Sequence, residues 1–538
     1  MDFENSLFQL SLNFFFFTFS VISILVFIPR LKLKPRCSCE ICQTFLTSRW
    51  SLEFNNLCDW YTHLLATSPT GTIHVHVLGN VITANPDNVE YMLKTRFENY
   101  PKGKQFSAIL GDFLGQGIFN VDGDSWKFQR KMASLELGSV SVRSYAFDIV
   151  SSEINSRLIP LLSSFARIKE SVRQPIVIKP VGVGKEACCG PIVQSHTHTS
   201  TTFDCDLTHS ATIIDLQEIF SRFSIDSICR FSFGLDLGCL ESSLPNSDFA
   251  LAFDLASKLS AGRAMTASPL IWKLKRFFNL GSEKELKKAI NSVHELAEGV
   301  IRHKRDMGIS SHEDLLSRFM RTIDDDKFLR DIVISFILAG RDTVSSSLTS
   351  LFLLLSKNPN VIESIREESS RVMGLETEKL TSFDQLREMH YLHAAVHECM
   401  RLFPPVQFDS KFCETNDVLP DGTFVAKGTR VTYHPYAMGR MEKIWGRDYL
   451  EFKPERWLES GVFKQGNPFK YPVFQAGPRV CLGKEMAIVE IKIVALSLIR
   501  QFEFQLAMPD NAPKFMPGLT AAFRGGLPVT VRERKYRS

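Results

Sequence analysis

The sequence predicts a mainly α-helical protein with a small β region, preceded by a single N-terminal transmembrane helix. Three observations point there. Residues 328–355 carry one long helical pattern whose middle, 332–339, is apolar nearly all round, as expected of a helix through the centre of a protein. Strand-like segments at 71–82, 429–433 and 527–531 are short and scattered among helical patterns, without a fixed-period repeat. Residues 7–28 contain no charged side chain and are long enough to span a bilayer.

Taken in order, the chain starts with Asp2 and Glu4, enters that apolar segment, and leaves it through Arg30, Lys32, Lys34 and Arg36. Basic residues only on the far side place the remainder in the cytosol, so residues 1–36 read as an uncleaved signal anchor with a basic stop. One large domain, 37–538, follows. The 12 cysteines are irregularly spaced in a chain too large to need staples, so reduced thiols are expected. Cys37, Cys39 and Cys42 cluster just past the anchor, but a second pair at zinc-like spacing is missing and they read as surface thiols. A net charge of +4, from 63 Lys+Arg against 59 Asp+Glu, gives no reason to expect a nucleic-acid partner. The 43 Phe against 10 Tyr suit a deep apolar interior, where a hydroxyl would need a partner.

Asn358 and Pro359 end the central helix; a second runs to about Met373, a third covers roughly 389–402 before Pro404 and Pro405, and a fourth begins near Lys484. Between about 167 and 211 the helical pattern stops. Pro175, Pro180, Pro191, Gly182, Gly184, Gly190 and the polar tract 195–202 predict an atypical irregular insertion, whose Cys188, Cys189, Cys205, His196, His198 and His209 match no common metal-ligand spacing.

Residues 474–483 read Phe-Gln-Ala-Gly-Pro-Arg-Val-Cys-Leu-Gly. Cys481 lies just before a helix, where unpaired N–H groups and the helix dipole favour a thiolate, and a thiolate can ligate haem iron. Gly477 and Gly483 let the backbone approach a flat macrocycle, Arg479 can pair with a haem propionate, and Phe474 can shield the sulfur from water. In the central helix, Ala339-Gly340-Arg341-Asp342-Thr343 places a glycine where alanine would be about 1 kcal/mol better, which asks for a local reason.

With these motifs the chain resembles the cytochromes P450, haem-thiolate monooxygenases, over about residues 50–165 and 212–535. The resemblance implies that Cys481 is the metal ligand of haem b (iron protoporphyrin IX), that Ala339 and Gly340 open a groove for dioxygen, and that Thr343 and Asp342 hold water and relay protons. It implies that Trp126 and Arg130 donate to a propionate, and that Glu398 and Arg401, one turn apart, form a structural network with Arg456. Glu363 with Arg366 and Glu368 with Arg371 share the spacing and read as solvated pairs, because only Glu398 is followed by Pro404-Pro405 and then Pro454-Glu455-Arg456-Trp457. Electrons would come from NADPH through a separate membrane-bound cytochrome reductase docking near Lys127, Arg130, Lys131 and Lys484, at the endoplasmic-reticulum membrane.

The resemblance implies pocket residues Phe106, Ile109, Leu110, Phe336, Ile337, Val406, Phe408, Leu519 and Phe523, an apolar tunnel suited to an aliphatic chain. Residues 96–104, 233–240, 406–412 and 433–440 resemble the plant fatty-acid ω-hydroxylases (family ninety-four), most of all the branch that oxidises jasmonoyl-isoleucine from 12-hydroxy to 12-carboxy (subfamily C). Such a lipid-like carboxylate wants a cation at the tunnel mouth, with Lys411 or Arg524 as candidates. Alternatives are ω-hydroxylation of free fatty acids, a hydroperoxide isomerase or lyase, which an intact Asp342 and Thr343 disfavour, and an inactive haem-binding membrane protein should the 167–211 insertion obstruct the entrance.

Overall fold

The computed structural model describes residues 37–137, 140–167, 212–241, 248–266, 268–307, 314–374, 382–510, 512–516 and 518–534. The anchor at 1–36 and all of the insertion beyond Arg167 lie outside these residues. Among the described residues no helix is long and apolar enough to cross a membrane.

The central helix is built in two stretches, Asp326–Ile337 and Thr343–Lys357, joined by a π-helical turn at Leu338–Asp342. Its start is capped by Asp325, whose carboxylate accepts from the Lys327 and Phe328 N–H groups. Pro359, at the first position of Pro359–Met373, needs no N–H there and starts the next helix. The two stretches enter different cores. Leu329–Leu338 packs with Phe253, Val293 and Ile301, while Val344–Leu355 packs with Leu392, Ile491 and Val494. The π turn falls at the junction.

A four-stranded sheet runs Thr72–Val75, Asn80–Thr83, Arg430–Tyr433, Asp409–Phe412, with only the middle pair parallel. The expected strand at 71–82 is thus a hairpin, turned at His76–Leu78, and its sheet is completed by strands from the far half of the chain. A second sheet joins Phe502–Leu506, Pro528–Glu533 and Ile213–Asp215. Asp409–Phe412 went unpredicted because its Asp-Ser-Lys start looks like a loop, yet all four residues are buried.

Two sequence expectations about ion pairs separate here. Glu363 and Arg366 form the expected exposed pair at 3.5 Å. Glu368 is instead buried and accepts from the Tyr391 and Leu392 N–H groups at 2.7 and 3.0 Å, satisfying the open start of helix His390–Leu402.

Candidate functional site

The loop before helix Lys484–Gln501 is held at three points. The Cys481 N–H donates to the Phe474 carbonyl at 2.8 Å. Gln475, at a φ of 61°, is tied by its amide to Asp409 and by the Tyr433 hydroxyl. Gly477 has a φ of +64°, and a Cβ there would sit 2.1 Å from the Leu93 carbonyl oxygen, so no other residue fits. At Gly483 a Cβ would meet only Cys481 Sγ, at 4.0 Å, which leaves clear space beside the sulfur. Phe474 is half-buried at the edge of the larger core.

Cys481 is exposed, yet burial pushes its thiol above the ordinary range. The two facts agree if the sulfur opens onto a recess enclosed by protein rather than onto bulk water. The Gly483 N–H, Arg130 and Lys484 act to lower the value but lose to desolvation. The helix start therefore acts in the direction the sequence suggests, and burial opposes it.

Beside this loop lies a buried ionic cluster. The Arg479 guanidinium stacks 4.4 Å from the Trp126 ring centroid and pairs with Asp122 at 2.5 Å, while Arg130 stands 5.8 Å from the same ring. Lys411 donates to Asp409 at 2.7 Å, and Lys102 reaches Asp409 at 3.5 Å. Lys102 and Lys411 share Asp409 and Arg479 pairs with Asp122, while Arg130 forms no ion pair among the described residues, so four cations face two carboxylates and two positive charges are left over. Burial lowers Lys102 to about 7, with Asp409 opposing and Lys411 and Arg479 adding to the fall. The buried Arg479 Nε has no hydrogen-bond partner among the described residues. A group that brings two carboxylates beside Cys481 completes the cluster, and haem with its two propionates has that chemistry.

Lys411 therefore does not stand at a tunnel mouth. It is fully buried, its ammonium committed to Asp409, on the cofactor side of the site. The sequence could not show this, because the burial comes from pairing between strands Asp409–Phe412 and Arg430–Tyr433. Lys102 and Asp409 were missed for the same reason. Arg524 is exposed and forms no ion pair among the described residues.

On the central helix, Phe336, Ala339, Gly340 and Thr343 remain partly exposed while the residues between and around them, Asp342 apart, are buried. The spacing is that of one helix face, so a buried helix presents a single open stripe. At Gly340 a Cβ would lie 2.4 Å from Ile228 Cδ1, so the missing side chain admits helix Leu216–Phe233 at close range. Thr343 Oγ1 donates to the Ala339 carbonyl at 2.6 Å, four residues back along the helix. Asp342 lies 3.0 Å from Arg341, and Thr520 donates to it at 3.4 Å. Burial raises its carboxyl to about 6; Arg341 opposes this and Asp254 adds to it.

Glu398 and Arg401 are fully buried, paired through Nε and one terminal nitrogen at 2.7 Å each. Arg456 reaches Glu398 at 3.3 Å, and the Trp457 indole and Lys453 N–H donate to it at 2.9 and 3.1 Å. The remaining Arg401 donors end on the Gly439, Tyr449 and Glu451 carbonyls.

Of the pocket residues, Phe106, Ile109, Leu110, Phe336, Ile337 and Leu519 converge in one apolar cluster that also holds Leu482, the neighbour of Cys481. Phe523 does not join them; it is buried in the other core, 5.6 Å from the Phe515 ring. Phe408 stacks toward His434, and Val406 lies outside these clusters. Of the expected docking cations, Lys127 and Lys131 are exposed, whereas Arg130 and Lys484 are half-buried, Lys484 donating to Gln465 at 2.8 Å.

The chain matches the cytochrome P450 family over residues 202–525. It is 53% identical over 528 residues to cytochrome P450 94C1 of Arabidopsis thaliana, covering 97% of this chain and 98% of that one. Cytochrome P450 94B1 of the same plant is 43% identical over 507 residues, covering 90% and 89%, and cytochrome P450 94A1 of Vicia sativa is 41% identical over 494 residues, covering 88% and 86%. The chain therefore belongs to the cytochrome P450 family, alongside members numbered 94, and is a haem monooxygenase that uses dioxygen and reductase-supplied electrons.

Proposed function

We propose that this protein ω-oxidises a jasmonoyl-isoleucine-type conjugate, from the 12-hydroxy to the 12-carboxy form, as a single-pass protein of the endoplasmic-reticulum membrane with its catalytic domain in the cytosol. The observation that carries the reaction class is the apolar cluster around Phe336 and Leu482, set against the open stripe of the central helix. Similarity to cytochrome P450 94C1 over nearly the whole of both chains, with the family-like stretches at 96–104 and 406–412, supports the substrate.

Haem would be held by Cys481, Arg479, Arg130, Trp126, Lys102 and Lys411, and would supply the activation of dioxygen. The protein's own work is positional. Phe106, Ile109 and Leu519 exclude water and align an aliphatic chain with its end at the stripe. The Thr343 hydroxyl sits at the C-terminal end of that stripe, and Asp342, its carboxyl raised by burial to about 6, exchanges protons beside it at cytosolic pH. With Lys411 committed elsewhere, exposed Arg524 is the cation for the distant substrate carboxylate. NADPH–cytochrome reductase meets the face bearing Lys127 and Lys131. The exposed apolar residues Leu270, Ile271, Leu274, Phe277 and Phe278, flanked by Lys273, Lys275 and Arg276, support contact with a membrane surface.

The test is turnover of 12-hydroxy-jasmonoyl-isoleucine and of a free fatty acid side by side, by the full chain with a microsomal reductase, products identified by mass. The 12-carboxy product at the higher kcat/KM supports the reading, and Arg524→Ala should raise KM about tenfold with kcat held. Preference for the fatty acid favours the second reading, which the same apolar cluster would serve. If the reduced, carbon-monoxide-bound chain lacks the red-shifted thiolate band while a chain without residues 167–211 shows it, the protein as written is an inactive one.

A further inference from the structure

Cys37, Cys39 and Cys42 are not the surface thiols that the sequence suggested. Cys42 is fully buried, Cys37 and Cys39 are half-buried, and none of the three is in a disulfide. His76, from a separate segment, joins them, and the three sulfurs and an imidazole nitrogen all lie within 4.8 Å of one another. The fold makes this juxtaposition. Cys39 precedes the short helix Glu40–Leu46, Cys42 lies in its first turn, and His76 opens the turn of the first hairpin in the four-stranded sheet. The Val77 N–H points at Cys42 Sγ at 3.4 Å, a contact that stabilises sulfur carrying negative charge. Cysteine spacing does not reveal the site, because the fourth ligand is one histidine brought in by the hairpin.

We infer that Cys37, Cys39, Cys42 and His76 bind one zinc ion in a closed tetrahedral site. Three thiolates and an imidazole suit a borderline-soft ion without a geometric preference of its own. Zinc–sulfur and zinc–nitrogen bonds of about 2.3 and 2.0 Å put ligand atoms roughly 3.5–3.8 Å apart, so the cluster must close by about 1 Å. Exposed His76 and half-buried Cys37 can supply that movement. Binding exchanges three thiol protons for one dication, with no electron transferred. All four positions are filled by protein, so the ion does no chemistry. It pins the segment that enters the domain to the hairpin turn, and it shares no residue with the haem site.

The test uses the full chain with its anchor, purified in detergent under reducing conditions without a metal-affinity step. Zinc and iron per chain are measured by mass spectrometry, and the reduced carbon-monoxide spectrum reports the haem fold independently. One zinc per chain is expected. Cys42→Ser and His76→Ala should each lower it at least tenfold with the thiolate band retained, and His74→Ala, whose ring lies 5.5 Å from His76, should leave it unchanged. Cobalt loaded in place of zinc should give thiolate charge-transfer absorption and tetrahedral d–d bands. Iron-replete wild type with zinc at buffer background would overturn the proposal. So would zinc retained in a Cys42→Ser/His76→Ala double variant, or a mass deficit of one disulfide within residues 37–42.

Discussion

Around Glu398 each charged donor ends on a named acceptor, whereas around Asp409 and Asp122 four cations face two carboxylates and Arg130 pairs with neither among the described residues. In the first cluster Arg401 uses its side-chain donors on Glu398 and three backbone carbonyls, and Glu398 takes Arg456, Trp457 and a backbone N–H as well. In the second, Lys102, Arg130, Lys411 and Arg479 crowd one another, and the Arg479 Nε is unpartnered. Both set buried cations against carboxylates. Saturation separates them: a closed network can only hold the fold, and an unsaturated one is shaped for an anion. Glu490 is a third case, a buried carboxylate whose Oε1 has no partner among the described residues and whose carboxyl burial alone raises to about 8.

The largest effect is expected where the network is closed. Glu398→Ala strands a buried Arg401 and should remove about 3–5 kcal/mol, enough to lose the holoprotein. The check is soluble yield together with the carbon-monoxide spectrum; a folded haem protein would mean that the network is not the support described.

Glu490→Gln comes next and acts in the opposite direction. The folded state holds a proton on Glu490 between its unfolded value of about 4.5 and its folded value of about 8, so this stability is complete below 4.5 and lost as pH rises through 8. The glutamine keeps the neutral form. Its melting temperature should match wild type near pH 5 and lie several degrees above it at pH 9. A constant difference across that range would show that Glu490 does not titrate there.

Lys411→Met separates the two roles considered for this residue. As part of the unsaturated cluster its loss should weaken haem retention about tenfold, near 1.4 kcal/mol, while substrate KM stays unchanged. A raised KM with full haem content would return it to the substrate. Glu363→Ala is the small reference. Its exposed pair with Arg366 should contribute under about 0.5 kcal/mol, seen as an unmoved thermal transition.

What could be read in the sequence was local. The Cys481 loop, the turn at 339–343, Trp126 with Arg130, and Glu398 with Arg401 are recognisable because their chemistry needs fixed spacing along one element. Glu368 shows the limit: its spacing to Arg371 is the same as that of Glu398 to Arg401, yet it caps a helix through contacts to Tyr391 and Leu392. Phe523 likewise fits the apolar composition of a pocket but is buried in the other core.

By itself the sequence carried the resemblance that names the family, the Cys481 motif, the central helix and the Glu398–Arg401 pair, since each rests on periodicity or on residues a few positions apart; Arg456 joined them through that resemblance. Only the tertiary structure decided that Lys411 is buried against Asp409, that desolvation raises the Cys481 thiol against the pull of the helix start, and that His76 joins three cysteines. These depend on desolvation and on contacts between distant segments, and a linear pattern specifies neither.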